Sequence, residues 1–146
     1  MTGLHIVVGS IALALNAGAC LWGGVCWARR SPSRAFWWLL RAGQVFVVLE
    51  AIQGGIWIAA GHKATELHLI YGLVPIGVSF MAEQLRVGAA QMTLDKRGFE
   101  STQEVGQLPE SEQKAIVISI LRREIAVMAL SALVITVLLA RAATVH

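Results

Sequence analysis

Residues 4–28 read LHIVVGSIALALNAGACLWGGVCWA. No Asp, Glu, Lys or Arg interrupts this run, and about 20 apolar residues suffice for a helix to cross the hydrocarbon of a bilayer. The rest of the chain repeats the pattern. Ala35–Ala60 and Leu67–Val87 form two further spans, and Ile125–Ala140 is a fourth apolar run. That last run is short, so a longer helix is expected to carry it across 113–140, starting near Pro109. Proline suits a first helical turn, and Glu110 and Glu112 suit the N-terminal dipole. The first part of that helix reads as a cytoplasmic or interfacial extension, with Arg122 and Arg123 snorkelling to the headgroups.

Composition agrees. Of 146 residues, 56% are hydrophobic and 14% charged, against about 25% charged in soluble domains. The mean hydropathy is +0.66. The expected fold is all-α: one integral membrane four-helix bundle spanning 1–146. The linker at about 88–112 is polar and reads as flexible and cytoplasmic. The net charge of +3 does not imply nucleic acid, because the basic residues flank apolar spans and act there as topology signals. Cys20 and Cys26 share one span and read as small buried hydrophobes rather than a disulfide framework. Residues 1–10 lack the basic stretch of a signal peptide. AGAC (17–20) resembles a lipoprotein cleavage box only faintly, so the first span is expected to remain as a helix.

Arg29, Arg30, Arg34, Arg41, Arg86, Lys96, Arg97, Lys114, Arg122 and Arg123 fall on one side, and only Lys63 and Arg141 on the other. The positive-inside rule then places both termini outside, and loops 29–34 and 88–112 in the cytoplasm, of a bacterial plasma membrane. In that orientation His5, His62, His68 and His146 all lie at the outer end.

Two spans open alike, LHIVVG (4–9) and LHLIYG (67–72). The other two also begin alike, LLRAGQVFVVLEA (39–51) and ILRREIAVMALSA (120–132). The reading is two tandem helical hairpins related by a twofold along the membrane normal. Hydrophobic segments match one another easily, so chance resemblance is the rival. If the repeat is real, His5 and His68 face one another across the bundle axis as two metal ligands. Gly9 and Gly72, one turn on, leave flat faces for a ring. That combination points to haem b held by His5 and His68 rather than to a bare metal ion. Lys63 and Arg141 would meet its propionates. Tyr71, Trp57 and Trp22 either surround the ring or anchor the bundle. The plainer account makes both histidines interfacial residues and both glycines close-packing positions.

Glu50 lies deep in its span, and an intramembrane carboxyl is by default a functional candidate. Gln53 shares its face, and Asn16 is expected at a similar depth, giving one buried polar cluster. With no Lys or Arg at that depth, Glu50 is expected to be protonated or hydrogen-bonded. Its plain role is interhelical glue. Ala51, Gly55 and Ala59 form a small-residue ladder that reads as a helix-contact face, within the bundle or against a partner. Pro75, with Gly72 and Gly77, is expected to bend span three. Glu83 and Arg86 are expected to pair with each other or with Arg122, Arg123 and Glu124.

The stretch LEAIQGGIWIAAGHKATELHLIYGLV (49–74) resembles the helical hairpin of the haem A synthase family and of small bacterial b-type membrane cytochromes. The likeness rests on Gln53-Gly54-Gly55, Gly61-His62 and His68. It implies haem ligation by His68 and, less directly, His5. The chain departs from that family in having four spans where the family has eight, and no Glu-x-x-His after Glu50, since position 53 is Gln. Oxidation of haem is therefore not implied.

Three functions follow from these residues. One is a haem-b protein passing electrons or handling haem beside a respiratory or redox complex. Another is a cofactor-free accessory or assembly subunit that meets its partner, or a second copy, through the Ala51/Gly55/Ala59 face and FWW (36–38). The third is a small proton-coupled transporter using Glu50. No nucleophile–base pair, phosphate loop, dinucleotide fingerprint or zinc motif is present, so no enzyme activity is assigned.

Overall fold

The computed structural model describes residues 3–99 and 102–145, which leaves residues 1–2, residues 100–101 of the linker and His146 outside the described part. Five helices follow in order: α1 (Gly3–Arg29), α2 (Arg34–Ala59), α3 (Glu66–Asp95), α4 (Thr102–Val105) and α5 (Glu110–Ala142). The described helices α1, α2 and α5 are long and apolar enough to cross a membrane. The chain is a small helical membrane protein. α3 has the length of a span at 30 residues, but with His68, Pro75, Ser79, Glu83 and Gln84 along it, it is not among the described helices apolar enough to cross a membrane.

Local chemistry sets the helix ends. Thr65 caps α3, its Oγ1 accepting from the His68 backbone N–H at 3.3 Å, which satisfies one of the donors that a helix start leaves open. Gly61 (φ 88°) closes α2 and Gly98 (φ 76°) closes α3. Both adopt the left-handed conformation that a glycine enters without a Cβ penalty. α5 starts directly after Pro109 with Glu110 and Glu112 in its first turn, as the sequence predicts.

α1 and α2 run antiparallel and meet along a seam with a seven-residue period. A Cβ at Gly9 would stand 2.7 Å from Glu50 Oε1. One at Gly43 would stand 2.9 Å from Asn16 Nδ2, and one at Gly23 2.6 Å from Phe36 Cε2. Residues 9, 16 and 23 of α1 thus face 50, 43 and 36 of α2. In each layer a glycine on one helix receives a larger side chain from the other. Close backbone approach with interdigitated side chains is what drives helix association where lipid removes the hydrophobic gain. The deepest layer extends to a third helix, because the same Gly23 Cβ would lie 2.7 Å from Ala129 Cβ of α5. Phe36, Leu40, Ile125, Met128 and Ala132 pack around it as the larger core. Ala12, Val47, Ile135 and Leu139 form a second core towards the other end.

α5 packs closely on both α1 and α3, whereas α2 and α3 barely touch. The helices are therefore joined around three sides and open along the fourth. Near the arginine-rich end that side is closed by charge. Arg41 of α2 pairs with Glu83 of α3, Gln44 Nε2 donates to Glu83 Oε1 at 3.2 Å, and Arg86 Nε donates to Glu83 Oε2 at 3.0 Å. Arg86 also reaches Glu124 at 3.7 Å. The expected Glu83–Arg86 pair is present, and Arg41 joins it. Arg122 lies over the Trp27 ring at 5.1 Å.

One reading needs correction. The 88–112 segment is not a loose linker. α3 continues to Asp95, α4 follows, and Leu94, Val105 and Ile116 bury together with Phe99, Leu108 and Ile120 against them. The apolar residues that make this cap are separated in sequence by polar ones, which hid them from a composition reading. In the small-residue ladder, a Cβ at Gly55 would meet nothing within 4 Å, and Ala51 and Gly55 line the opening beside α3.

Candidate functional site

The chemistry-bearing residues gather at the end of the bundle opposite the arginine cluster. His5 lies in the first turn of α1 and His68 in the first turn of α3, and their rings approach to 5.9 Å between centroids at 54°. The repeated LHxxxG frame therefore brings its two histidines together. Each ring is held by a different partner. His5 Nε2 lies 3.2 Å from Glu50 Oε1, with the two side chains only 16% and 14% exposed. His68 Nδ1 lies 3.1 Å from the carbonyl oxygen of Ala142. That carbonyl belongs to the last residue of α5 and is one of the acceptors a helix end leaves open. A carbonyl only accepts, so Nδ1 carries the hydrogen, and a neutral His68 keeps its lone pair on Nε2.

Two adjoining cavities, of about 710 and 340 Å³, open between α2 and α3 at this end. His5, Gly54, Ile58, His68 and Leu69 line both. Gln53, Trp57, Lys63 and Thr65 add to the larger, and Gly9, Glu50 and Gly72 to the smaller. Both volumes fall in the range of small-molecule sites, and the walls are mostly apolar with a few polar groups, as such sites are. Among the described residues, Glu50 Oε2 and Gln53 Oε1 are buried with no hydrogen-bond partner.

Among the predicted residues, His5, His68, Gly9, Gly72 and Lys63 share these walls. Gly9 is already covered by the Glu50 carboxyl, whereas nothing lies within 4 Å of a Cβ at Gly72. Tyr71 and Arg141 line neither cavity. Trp57 stacks on His62 at 3.7 Å between centroids, and His62 Nδ1 lies 3.2 Å from the Trp57 carbonyl. Trp22 is at the other end, donating from Nε1 to Ser33 Oγ at 3.1 Å. The expected cluster of Asn16 with Glu50 and Gln53 separates into layers. Asn16 is fully buried against Gly43, one heptad from the Gly9–Glu50 layer, and its Nδ2 donates to the Ala12 carbonyl at 2.8 Å.

Sequence reasoning missed the His5–Glu50 contact because it counted depth from span ends. Counting outward from the tight α1–α2 turn would have found it, since that register pairs 9 with 50 and 16 with 43. The Ala142 carbonyl has no side-chain signature and could not be read. Among the described residues, no group of three or more His, Cys, Asp or Glu side chains is arranged to hold a metal ion. Compared with protein families, curated proteins and solved structures, the chain has no match.

Proposed function

We propose that this chain is an accessory or assembly subunit of a membrane complex, with no metal centre of its own. The observation that carries this reading is the folded cap built from the end of α3, α4 and the start of α5. A short connection would suffice to join two spans. Here the chain instead buries Leu94, Val105 and Ile116 together in a folded cap beyond the apolar segments. Trp38, 77% exposed, stands near the same end of the bundle, and exposed aromatics of this kind are favoured as interface anchors. Phe36 and Trp37 of the FWW stretch are spent inside: Phe36 is fully buried and Trp37 lies edge-on to it under Arg86. Purification from native membranes in mild detergent tests the reading. A stable partner should accompany the wild-type chain and be lost when Lys96 and Arg97 are changed to Glu. A chain that elutes alone under every gentle condition would contradict it.

A second reading, haem b between His5 and His68, is favoured by the 5.9 Å ring separation and by the Nδ1 anchor of His68. Anchoring of that kind fixes the tautomer of metal-bound histidines. Haem ligation requires Glu50 to release His5 Nε2 and to leave the face of Gly9. The group would supply one-electron chemistry, and His5 and His68 would hold its iron. A reduced-minus-oxidised absorption spectrum separates the two readings.

A further inference from the structure

The two cavities at the histidine end form one groove that opens sideways between α2 and α3, helices that barely touch. Its floor is apolar: Leu13 and Leu139 line the smaller cavity, and both pack in the second core. Its lips are apolar too, Ile56 on α2 and Leu73 on α3 being 65% and 55% exposed. The polar groups in the walls are engaged or sealed. His5 holds Glu50, His68 holds the Ala142 carbonyl, and Glu50 Oε2 and Gln53 Oε1 are buried without reaching the groove. The groove therefore suits an apolar occupant. An apolar wall that faces a void forfeits its dispersion contacts, and lipid lies beside the lips.

Depth decides between a lipid tail and a helix. α2 lines the groove from Ile58 down to Glu50. That separation of eight residues rises about 12 Å, most of the roughly 15 Å of hydrocarbon in one leaflet. Nine residues further along α2 the gap is closed by Arg41, bound to Glu83 of α3, and Gln44 reaches the same carboxylate. A transmembrane helix needs about 30 Å, so its way between α2 and α3 is barred. A tail from one leaflet needs only the open part. The rim supplies the headgroup chemistry. Lys63, Ala64 and Thr65 line the larger cavity there, immediately before α3 starts at Glu66. An ammonium beside the positive end of a long helix favours an anion. We infer that the groove holds an acyl chain of an anionic glycerophospholipid, with the phosphate against Lys63 and the amino end of α3. The inference concerns binding alone and does not rest on the accessory-subunit reading.

The test places the full chain in phosphatidylcholine vesicles and replaces a rising fraction of the lipid by phosphatidylglycerol with brominated acyl chains, which quench tryptophan on contact. Trp57 lines the larger cavity, and the readout is the quenching that is lost in Trp57→Phe. It should saturate at a low fraction of brominated phosphatidylglycerol. Brominated phosphatidylcholine should need roughly fivefold more, the effect of one lysine near an anionic headgroup. Lys63→Gln should abolish that difference. Gly54 lines both cavities and Gly72 the smaller, and a Cβ at either meets nothing within 4 Å. Gly54→Leu and Gly72→Leu should therefore fill the groove and keep the wild-type melting curve. The first should remove the saturable quenching and the second should reduce it. Three results would each overturn the inference: equal quenching by the two lipids, a preference that survives Lys63→Gln, or saturable quenching unchanged in both leucine variants. A dimer broken by Gly54→Leu would overturn it in favour of a second copy, and a Soret band lost in that variant would do so in favour of haem. Loss of a co-purifying partner in the cap variant bears only on the accessory reading, so the two can fail separately.

Discussion

Gly23 and Gly24 are neighbours in α1, and alanine at each should change stability in opposite directions. A Cβ at Gly23 would stand 2.6 Å from Phe36 Cε2, 3.1 Å from Phe36 Cδ2 and 2.7 Å from Ala129 Cβ. These partners lie on two different helices. The Phe36 side chain is fully buried, so it has no space into which to turn. Ordinary contact begins near 3.4 Å, so α2 and α5 must each move away by about 0.7–0.8 Å, and such overpacking typically costs ~1–3 kcal/mol. A Cβ at Gly24 meets nothing within 4 Å. There the substitution only removes the backbone entropy of a helical glycine, a gain of ~0.5–1 kcal/mol. At roughly 2–4 °C per kcal/mol for a chain of this size, Gly23→Ala should lower the melting temperature in detergent by about 2–12 °C. Gly24→Ala should leave it unchanged or raise it by about 1–4 °C. The assay is thermal unfolding followed by tryptophan fluorescence or by static light scattering. If the two variants melt together, the seven-residue seam between α1 and α2 is not where the structure places it.

Gly9→Ala should push the Glu50 carboxyl off His5, because the new Cβ would stand 2.7 Å from Oε1; the His5 ring resonances should shift with little loss of stability, the obstacle being the far end of a flexible side chain. Glu83→Gln should destabilise the arginine-rich end by ~0.5–1 kcal/mol by weakening the bridge to Arg41 and Arg86, whereas Lys114→Ala, opposite an exposed Glu110, should have no measurable effect; a double-mutant cycle with Arg41→Ala checks the first. Ile116→Ala should release the cap, for which ~2–5 kcal/mol is the usual range for such a buried truncation, seen as faster amide exchange over residues 94–108 while α1 and α2 stay protected.

The long helices were legible because a bilayer enforces its length on the sequence. Leu4–Ala28 and Ala35–Ala60 match α1 and α2 to within a residue or two. The start of α5 could be read from Pro109 and its two glutamates. The cap could not, because Leu94, Val105 and Ile116 are spread over 23 positions among polar residues and only their packing joins them. At the site, the repeated LHxxxG frame identified two histidines that do meet. Their partners were less legible. Glu50 reaches His5 through the α1–α2 register, a pairing that shows only when the turn is used as the origin. The carbonyl holding His68 belongs to the backbone, and depends on where α5 ends. Lys63 and Arg141 looked equivalent as charges at the same end, but of the two only Lys63, in the α2–α3 connection, lines a cavity.

The most direct test of the central claim, an accessory membrane subunit without a metal centre, is one pair of absorption spectra. The protein would be expressed with haem supplementation, purified gently, and recorded oxidised and then dithionite-reduced. The account predicts a flat visible region in both, with a partner protein in the same fractions. A sharp reduced α-band with a shifted Soret peak, lost in His68→Ala, would contradict it and return the paired histidines to haem.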